Sequence, residues 1–275
     1  MFGFNKITDT YHNRVNQMFG SFTNAFGNGT TLNGVPVDGL EAWWNPEYGV
    51  VTSGGRVVTW TDMSGNYTLR PTVITNVSTI VGPAYVTGAN STFNGKPYIN
   101  FDPIPGQPRN LAPSAPFDEN FLNKTFDGGY TVLWVVYYVD ALNQLSPAML
   151  SNGMGTVPVG TDLRAYGNGS GLVSVTTPTT GIINLQSIST DLKTGRWWYS
   201  FNGNYASLNR TDAAVTRNVA APYNIYNNAP SGIFFISNSI SGGRAYVFDC
   251  FVYNKILNET EYKLVWEHIK SKYRA

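Results

Sequence analysis

Charge is the first thing this chain has little of. Charged residues make up 13% of its 275 positions and the formal net charge is +1, against roughly 25% charged in an average globular protein. No long-range field steers polyanions, so charge-driven binding of nucleic acid or anionic lipid is excluded. Cysteine is nearly absent. The single Cys250 permits no intrachain disulfide and no thiolate metal cluster, and within AYVFDCFVY it reads as a small buried hydrophobe. No stretch approaches the roughly 18 apolar residues of a membrane-spanning helix. The opening MFGFNKITDTYHNR lacks the continuous apolar core of a signal peptide. Neither membrane insertion nor secretion is expected.

What is present is β chemistry. Aromatics fill 14% of the chain, and Tyr, Trp, Val and Thr suit a pleated surface while Asn and Gly supply turns. YTVLWVVYYVD (130–140) is apolar on both faces and reads as a central strand covered on both sides. RWWYSFNGNYA (196–206) alternates, then offers Asn202-Gly203, a strong hairpin signal. RVVTWTDMSGN, GIFFIS and AYVFDCFVY read as further strands. Short strands with turn signals between them predict a sandwich or jelly roll.

Two segments depart from that pattern. Near the start, Ile7, Tyr11, Val15, Met18, Phe22 and Phe26 form an amphipathic helical stripe, followed by the linker-like GNGTTLNGVP (27–36). At the end, Asn258 is placed to cap a helix, with Glu261 at the position of a capping box. Tyr262, Trp266, Ile269 and Tyr273 then give that helix an apolar stripe. The expected organisation is a docking or oligomerisation helix over 1–26, a linker over 27–38 and one β domain over 39–275.

In their order, GLEAWW, VVTWTDMSGN, FNGKPYINFD, YTVLWVVYYV, RWWYSFNGN and AYVFDCFVYNKILNETEYKLVWEHIKSKY resemble the concanavalin A-like (laminin-G-like) jelly-roll family common in phage and bacterial surface proteins. The last segment is similar to the family's closing pattern: a strand with a central acid, an aromatic-Asn pair, an acidic helix start and a terminal Lys-Tyr. Asp249 stands where that pattern usually has Glu. The resemblance, over residues 39–274, implies a mainly β jelly-roll sandwich with a C-terminal helix; the N-terminal amphipathic helix lies outside it and is read from its spacing alone. With the missing signal peptide, it also implies a virion structural protein made in a host cytoplasm. The stripe would dock it on other virion proteins or on itself, and the lectin-like domain would meet host glycans. The alternatives are a bacterial carbohydrate-binding module and, third, a glycoside hydrolase.

Enzymatic cleavage is not expected. Glycoside hydrolysis needs two carboxylates roughly 5–9.5 Å apart, and the glucanase branch of the fold supplies them from one E-x-D-x-E-like strand. The six glutamates, Glu41, Glu47, Glu119, Glu259, Glu261 and Glu267, form no such run. The two histidines, His12 and His268, lie near no nucleophile elbow and read as surface or packing residues. No cofactor is expected. Asp62, Asn66 and Asp102 are the candidate Ca²⁺ ligands, because a hard cation takes carboxylate and amide oxygens; a turn role for TDMSGN competes with that reading. Asp249 is expected to accept buried backbone N–H groups. The adjacent pairs Trp43-Trp44 and Trp197-Trp198 should each put one ring in and one out. Trp43, Trp60 and Trp197 are assigned to packing, and Trp44 and Trp198 to an exposed surface that could stack a sugar.

Overall fold

The computed structural model describes residues 31–63, 65, 67–71, 81–101, 109–113, 125–126, 129–139, 145–150, 154–159, 162–166, 173–176, 180–191, 194, 196–211, 223–224, 235–238 and 245–273. The docking stripe (Ile7, Tyr11, Val15, Met18, Phe22, Phe26), Asn66 and Asp102 lie outside them.

Among the described residues the chain is mainly β, with antiparallel pairing, and an α-helix, Glu259–Tyr273, lies near its C-terminal end. Gly129–Tyr138 is central, flanked by Ile183–Asp191 and Ala245–Tyr253. The first of these neighbours leads outward to Arg196–Phe201 and Asn204–Thr211. The second pairs with both Leu40–Trp44 and Tyr98–Phe101. A further antiparallel run joins Arg109–Pro113, Phe235–Asn238, Leu145–Leu150, Met154–Val159, Asp162–Tyr166 and Val173–Thr176. It connects to the first run where Leu69 and Arg70 face Pro113 and Ala112.

The central sheet is apolar on both faces because both are covered. One face holds Trp44, Trp60, Trp134, Trp197 and Cys250, packed with Leu111 of the second run. The other holds Trp43, Leu133, Val135, Phe248 and Phe251 beneath Tyr262, Val265, Ile269 and Tyr273 of the helix. Tryptophans 43 and 44 do point oppositely, as strand geometry requires, yet they are 2% and 0% exposed. Neither meets solvent.

The helix begins as its sequence predicts. Glu261 N–H donates to Asn258 Oδ1 and Asn258 N–H to Glu261 Oε2, each at 3.0 Å, a reciprocal capping box. Residues 31–36, expected as linker, instead form a hairpin of Thr31–Leu32 and Val35–Pro36. Asn33 and Gly34 take φ values of 52° and 88°, the left-handed pair a tight two-residue turn demands. Val35 is fully buried against the helix layer. The ordered β domain therefore starts at least as early as Thr31.

The Asn202-Gly203 hairpin forms as predicted and supports the helix. Gly203 sits at φ 84°, and a β-carbon there would lie 2.7 Å from Trp266 Nε1. Gly54, at φ 56°, has open space around it. Gly54→Ala should therefore cost only left-handed backbone strain, about 1–2 kcal/mol. Gly203→Ala should cost at least about 1 kcal/mol more in urea unfolding, since Trp266 must move as well. Equal costs would mean that the helix is not seated on this hairpin.

Candidate functional site

The site is built around a buried charge. Between Gly129–Tyr138 and Ala245–Tyr253 the register runs Trp134 to Cys250 and then Val136 to Val247. Two steps on one strand face three on the other, which is a β-bulge. The extra residue turns Phe248 and Asp249 together onto the helix face. Asp249 is 0% exposed and is fully engaged. Trp43 Nε1 donates to Oδ1 at 2.9 Å, Tyr273 OH to Oδ2 at 2.6 Å, and Lys272 Nζ to Oδ2 at 2.9 Å. Its donors are side chains and not the backbone N–H groups expected from sequence. The terminal Lys-Tyr of the closing helix and the strand acid are thus partners in one cluster. Burial, with the Asp249 charge beside it, pushes the Tyr273 hydroxyl pKa well above its ordinary value.

Beside this cluster a groove of about 450 Å³ opens between the helix and two turns. Its walls include Trp43, Asn45, Glu47 and Tyr48 from the strand Leu40–Trp44 and the turn after it. Asn94 and Lys96 come from a second turn, and His268, Ser271 and Lys272 from the helix. The first turn, Asn-Pro-Glu-Tyr-Gly, is rigid. Asn45 Oδ1 accepts Glu47 N–H at 2.9 Å, its carbonyl accepts Tyr48 N–H at 2.9 Å, and Tyr85 OH donates to Pro46 C=O at 3.1 Å. Asn45 is only 3% exposed, and its amide lines a polar recess. The buried polar atom of that recess without a hydrogen-bond partner among the described residues is His268 Nε2. Tyr48, by contrast, is 44% exposed and presents a ring at the rim. Asn94 Nδ2 donates to Lys272 C=O at 3.1 Å.

The charges of the groove are matched internally. Glu47 receives Lys96 at 2.9 Å and Lys272 at 3.3 Å. Partial burial pushes the Glu47 carboxyl up, but the hydrogen bonds and charges of the two lysines outweigh it and hold the pKa below the usual carboxylate value. His268 Nδ1 donates to Asn33 C=O at 2.7 Å, and the ring meets Trp43 edge-on. Burial lowers the His268 pKa, opposed in part by Asp249. His268 is thus a neutral packing histidine that ties the helix to the Thr31–Pro36 hairpin.

Other sequence-derived candidates fall elsewhere. Trp44 is fully buried on the inner face, which removes it from any stacking surface; the strand has no solvent face for it to use. Trp198 is half-buried on the sheet, with the Arg196 guanidinium 5.7 Å over its ring and Arg196 Nε donating to Asn209 Oδ1. It lies on Arg196–Phe201, away from the groove residues. Asp62 is 3% exposed and serves its turn: Oδ1 accepts Tyr67 N–H at 2.9 Å and the carbonyl accepts Gly65 N–H at 3.0 Å. The groove residues Asn45, Glu47, Tyr48, Asn94 and Lys96 were not picked out by motif. The one signal was an amide, an acid and an aromatic held in a Pro/Gly turn, where loops on rigid scaffolds carry function. Among the described residues no helix is long and apolar enough to cross a membrane.

No family model matches the chain, and no curated protein matches it. Solved structures do. A Trypanosoma rangeli sialidase in complex with sialic acid aligns with TM-score 0.59 at 12% identity, over 96% of this chain and 39% of the sialidase. A structure of botulinum neurotoxin type C, whose cell entry depends on interaction with two ganglioside molecules, aligns at TM-score 0.54 and 10% identity, over 83% of this chain and 51% of that one. The binding domain of botulinum neurotoxin DC in complex with rat synaptotagmin II gives 0.56 and 11% over the same shares. The chain therefore spans about two fifths of the sialidase and half of the toxin chains, and the likeness is one of β architecture. The expectation of a virion structural protein is overturned: these likenesses run to a sialidase and to toxin binding domains, not to particle proteins.

The buried cluster carries a direct test. Asp249→Asn leaves the Lys272 ammonium, whose side chain is 7% exposed, without its best partner. Breaking one half of a buried pair costs about 3–5 kcal/mol, so denaturant unfolding should show a loss of that order. The double variant Asp249→Leu with Lys272→Met should recover much of it, because an apolar pair leaves no charge uncompensated.

Proposed function

We propose that this chain is a non-catalytic carbohydrate-binding module of the concanavalin A-like jelly-roll type, and that the groove beside the closing helix takes the sugar. One observation carries the reading: His268 Nε2, buried and without a hydrogen-bond partner among the described residues, lines the same groove as the Asn45 amide and the exposed Tyr48 ring. Sugar recognition needs this pairing. A ring takes the C–H face of a pyranose, and a few fixed polar groups take its hydroxyls. An unmet acceptor in a recess is costly until a ligand hydroxyl donates to it. Asn94 Oδ1 and the exposed Ser271 hydroxyl extend the polar lining.

Several features support binding over cleavage. Hydrolysis would need a carboxylate pair able to protonate and attack. Glu47 is held ionised by two lysines, and Asp249 is sealed beneath Trp43, Lys272 and Tyr273. The jelly-roll assignment draws support from the antiparallel order around Gly129–Tyr138 and from the acid and Lys-Tyr meeting in one cluster. The sialic acid and ganglioside named with the neighbouring folds are consistent with a carbohydrate ligand.

Glycan-array screening of the full chain, followed by titration of the best ligand, tests the reading. Tyr48→Ala should weaken that ligand by about tenfold or more, the loss of one good contact of about 1.4 kcal/mol, with an unchanged melting temperature. Trp198→Ala should leave affinity within about twofold. The reverse pattern would move the site to the Trp198 surface, and a chain that retains no glycan would refute the function.

A further inference from the structure

We propose, resting on the reading of the groove as a glycan site, that it takes uncharged glycans and discriminates against acidic sugars, with Glu47 setting the preference. The neighbouring folds would suggest the opposite, since sialic acid and gangliosides carry a carboxylate. The groove's own charges argue otherwise. Its two cations are Lys96 and Lys272, and both are spent. Lys96 Nζ lies 2.9 Å from Glu47 Oε1. Lys272 Nζ lies 3.3 Å from Glu47 Oε2 and 2.9 Å from Asp249 Oδ2, with its side chain only 7% exposed. Two positive charges thus face two negative ones, and an incoming carboxylate would have to displace a fixed anion to gain a cation.

His268 supplies no third cation. Its Nδ1 is committed to Asn33 C=O, and its burial favours the neutral ring. What remains for a ligand is neutral: the Asn45 NH₂, Asn94 Oδ1, the unpartnered His268 Nε2, the Ser271 hydroxyl and the Tyr48 ring and hydroxyl. Hydroxyl groups, each both donor and acceptor, satisfy such a set, whereas a carboxylate is acceptor only. It would also lie near Glu47, which is exposed at the rim, and like charges in a partly desolvated groove repel. Glu47 therefore acts twice, neutralising Lys96 while Asp249 neutralises Lys272, and repelling acids.

The test uses the full chain and immobilised glycans in matched pairs that differ by one acidic sugar, such as lactose with sialyllactose and xylan oligomers with and without glucuronic acid. The neutral member of a bound pair should be held at least about tenfold more tightly. Its affinity should stay constant between about 0.05 and 0.5 M salt, because no exposed charge pair is formed. Glu47→Gln, checked for an unchanged melting temperature, should release Lys96 while Lys272 stays on Asp249, and should narrow or invert that ratio, now with salt sensitivity. An acidic member that binds wild type as well as its neutral partner overturns the charge inference and leaves the glycan reading standing. A preference that survives Glu47→Gln unchanged overturns the role of Glu47. Retention of neither member of any pair overturns the glycan reading and this inference with it.

Discussion

One carboxylate that water cannot reach organises this end of the molecule. Asp249 is fully buried, and an unpaired charge there would be prohibitive. Its three donors come from different elements: Trp43 on the strand Leu40–Trp44, and Lys272 and Tyr273 on the last turn of the helix. Satisfying the charge therefore fixes the helix against that strand in rotation and along its axis. The capping box at Asn258 and the Gly203–Trp266 seat fix the other end of the helix. The groove is what this placement leaves open. Its helix wall and its strand wall are both carried by members of the Asp249 cluster, so the site inherits its geometry from a buried ion pair.

Rigidity of the opposite wall has a separate origin. In Asn45–Gly49 the Asn45 side chain closes the turn through its oxygen, which fixes the orientation of its amide at the groove. Gly49 takes φ 69°, and a β-carbon there would meet Thr61 O at 2.1 Å, so the turn is pressed against Arg56–Thr61. A donor held this firmly loses little entropy when a ligand arrives, which favours binding by a preformed site.

Much of the fold was legible. The two-faced apolarity of 130–140 announced a central strand, Asn202-Gly203 a hairpin, and Asn258 with Glu261 a helix start, because each is a local rule with one dominant outcome. What escaped was non-local. The Trp43-Trp44 alternation was read correctly, but whether a second layer covers each face depends on elements far away in sequence, so Trp44 was misplaced outside. The bulge at Phe248 and Asp249 breaks the two-residue period that strand reading relies on. Nothing local says that Lys272 and Tyr273 will end on that acid. Residues 31–36 were read as linker for their Asn, Gly and Thr, although Asn33-Gly34 is also the pair a tight hairpin uses. The groove was the least legible feature. It is assembled from two turns and a helix, and its residue types are those of any solvated surface until they are seen to line one recess around the unpartnered His268 Nε2.

The proposal is one of place: a glycan would sit between Tyr48, Asn45 and the closing helix. Of the seven tryptophans, Trp43 lines this groove and Trp198 lies on the sheet surface outside it. Indole and side-chain amide resonances therefore report location directly. Titrating the isotopically labelled chain with its best neutral oligosaccharide should shift the Asn45 amide and Trp43 indole signals together and leave the Trp198 indole in place. Shifts confined to Trp198, with Asn45 and Trp43 unmoved at saturation, would contradict the account.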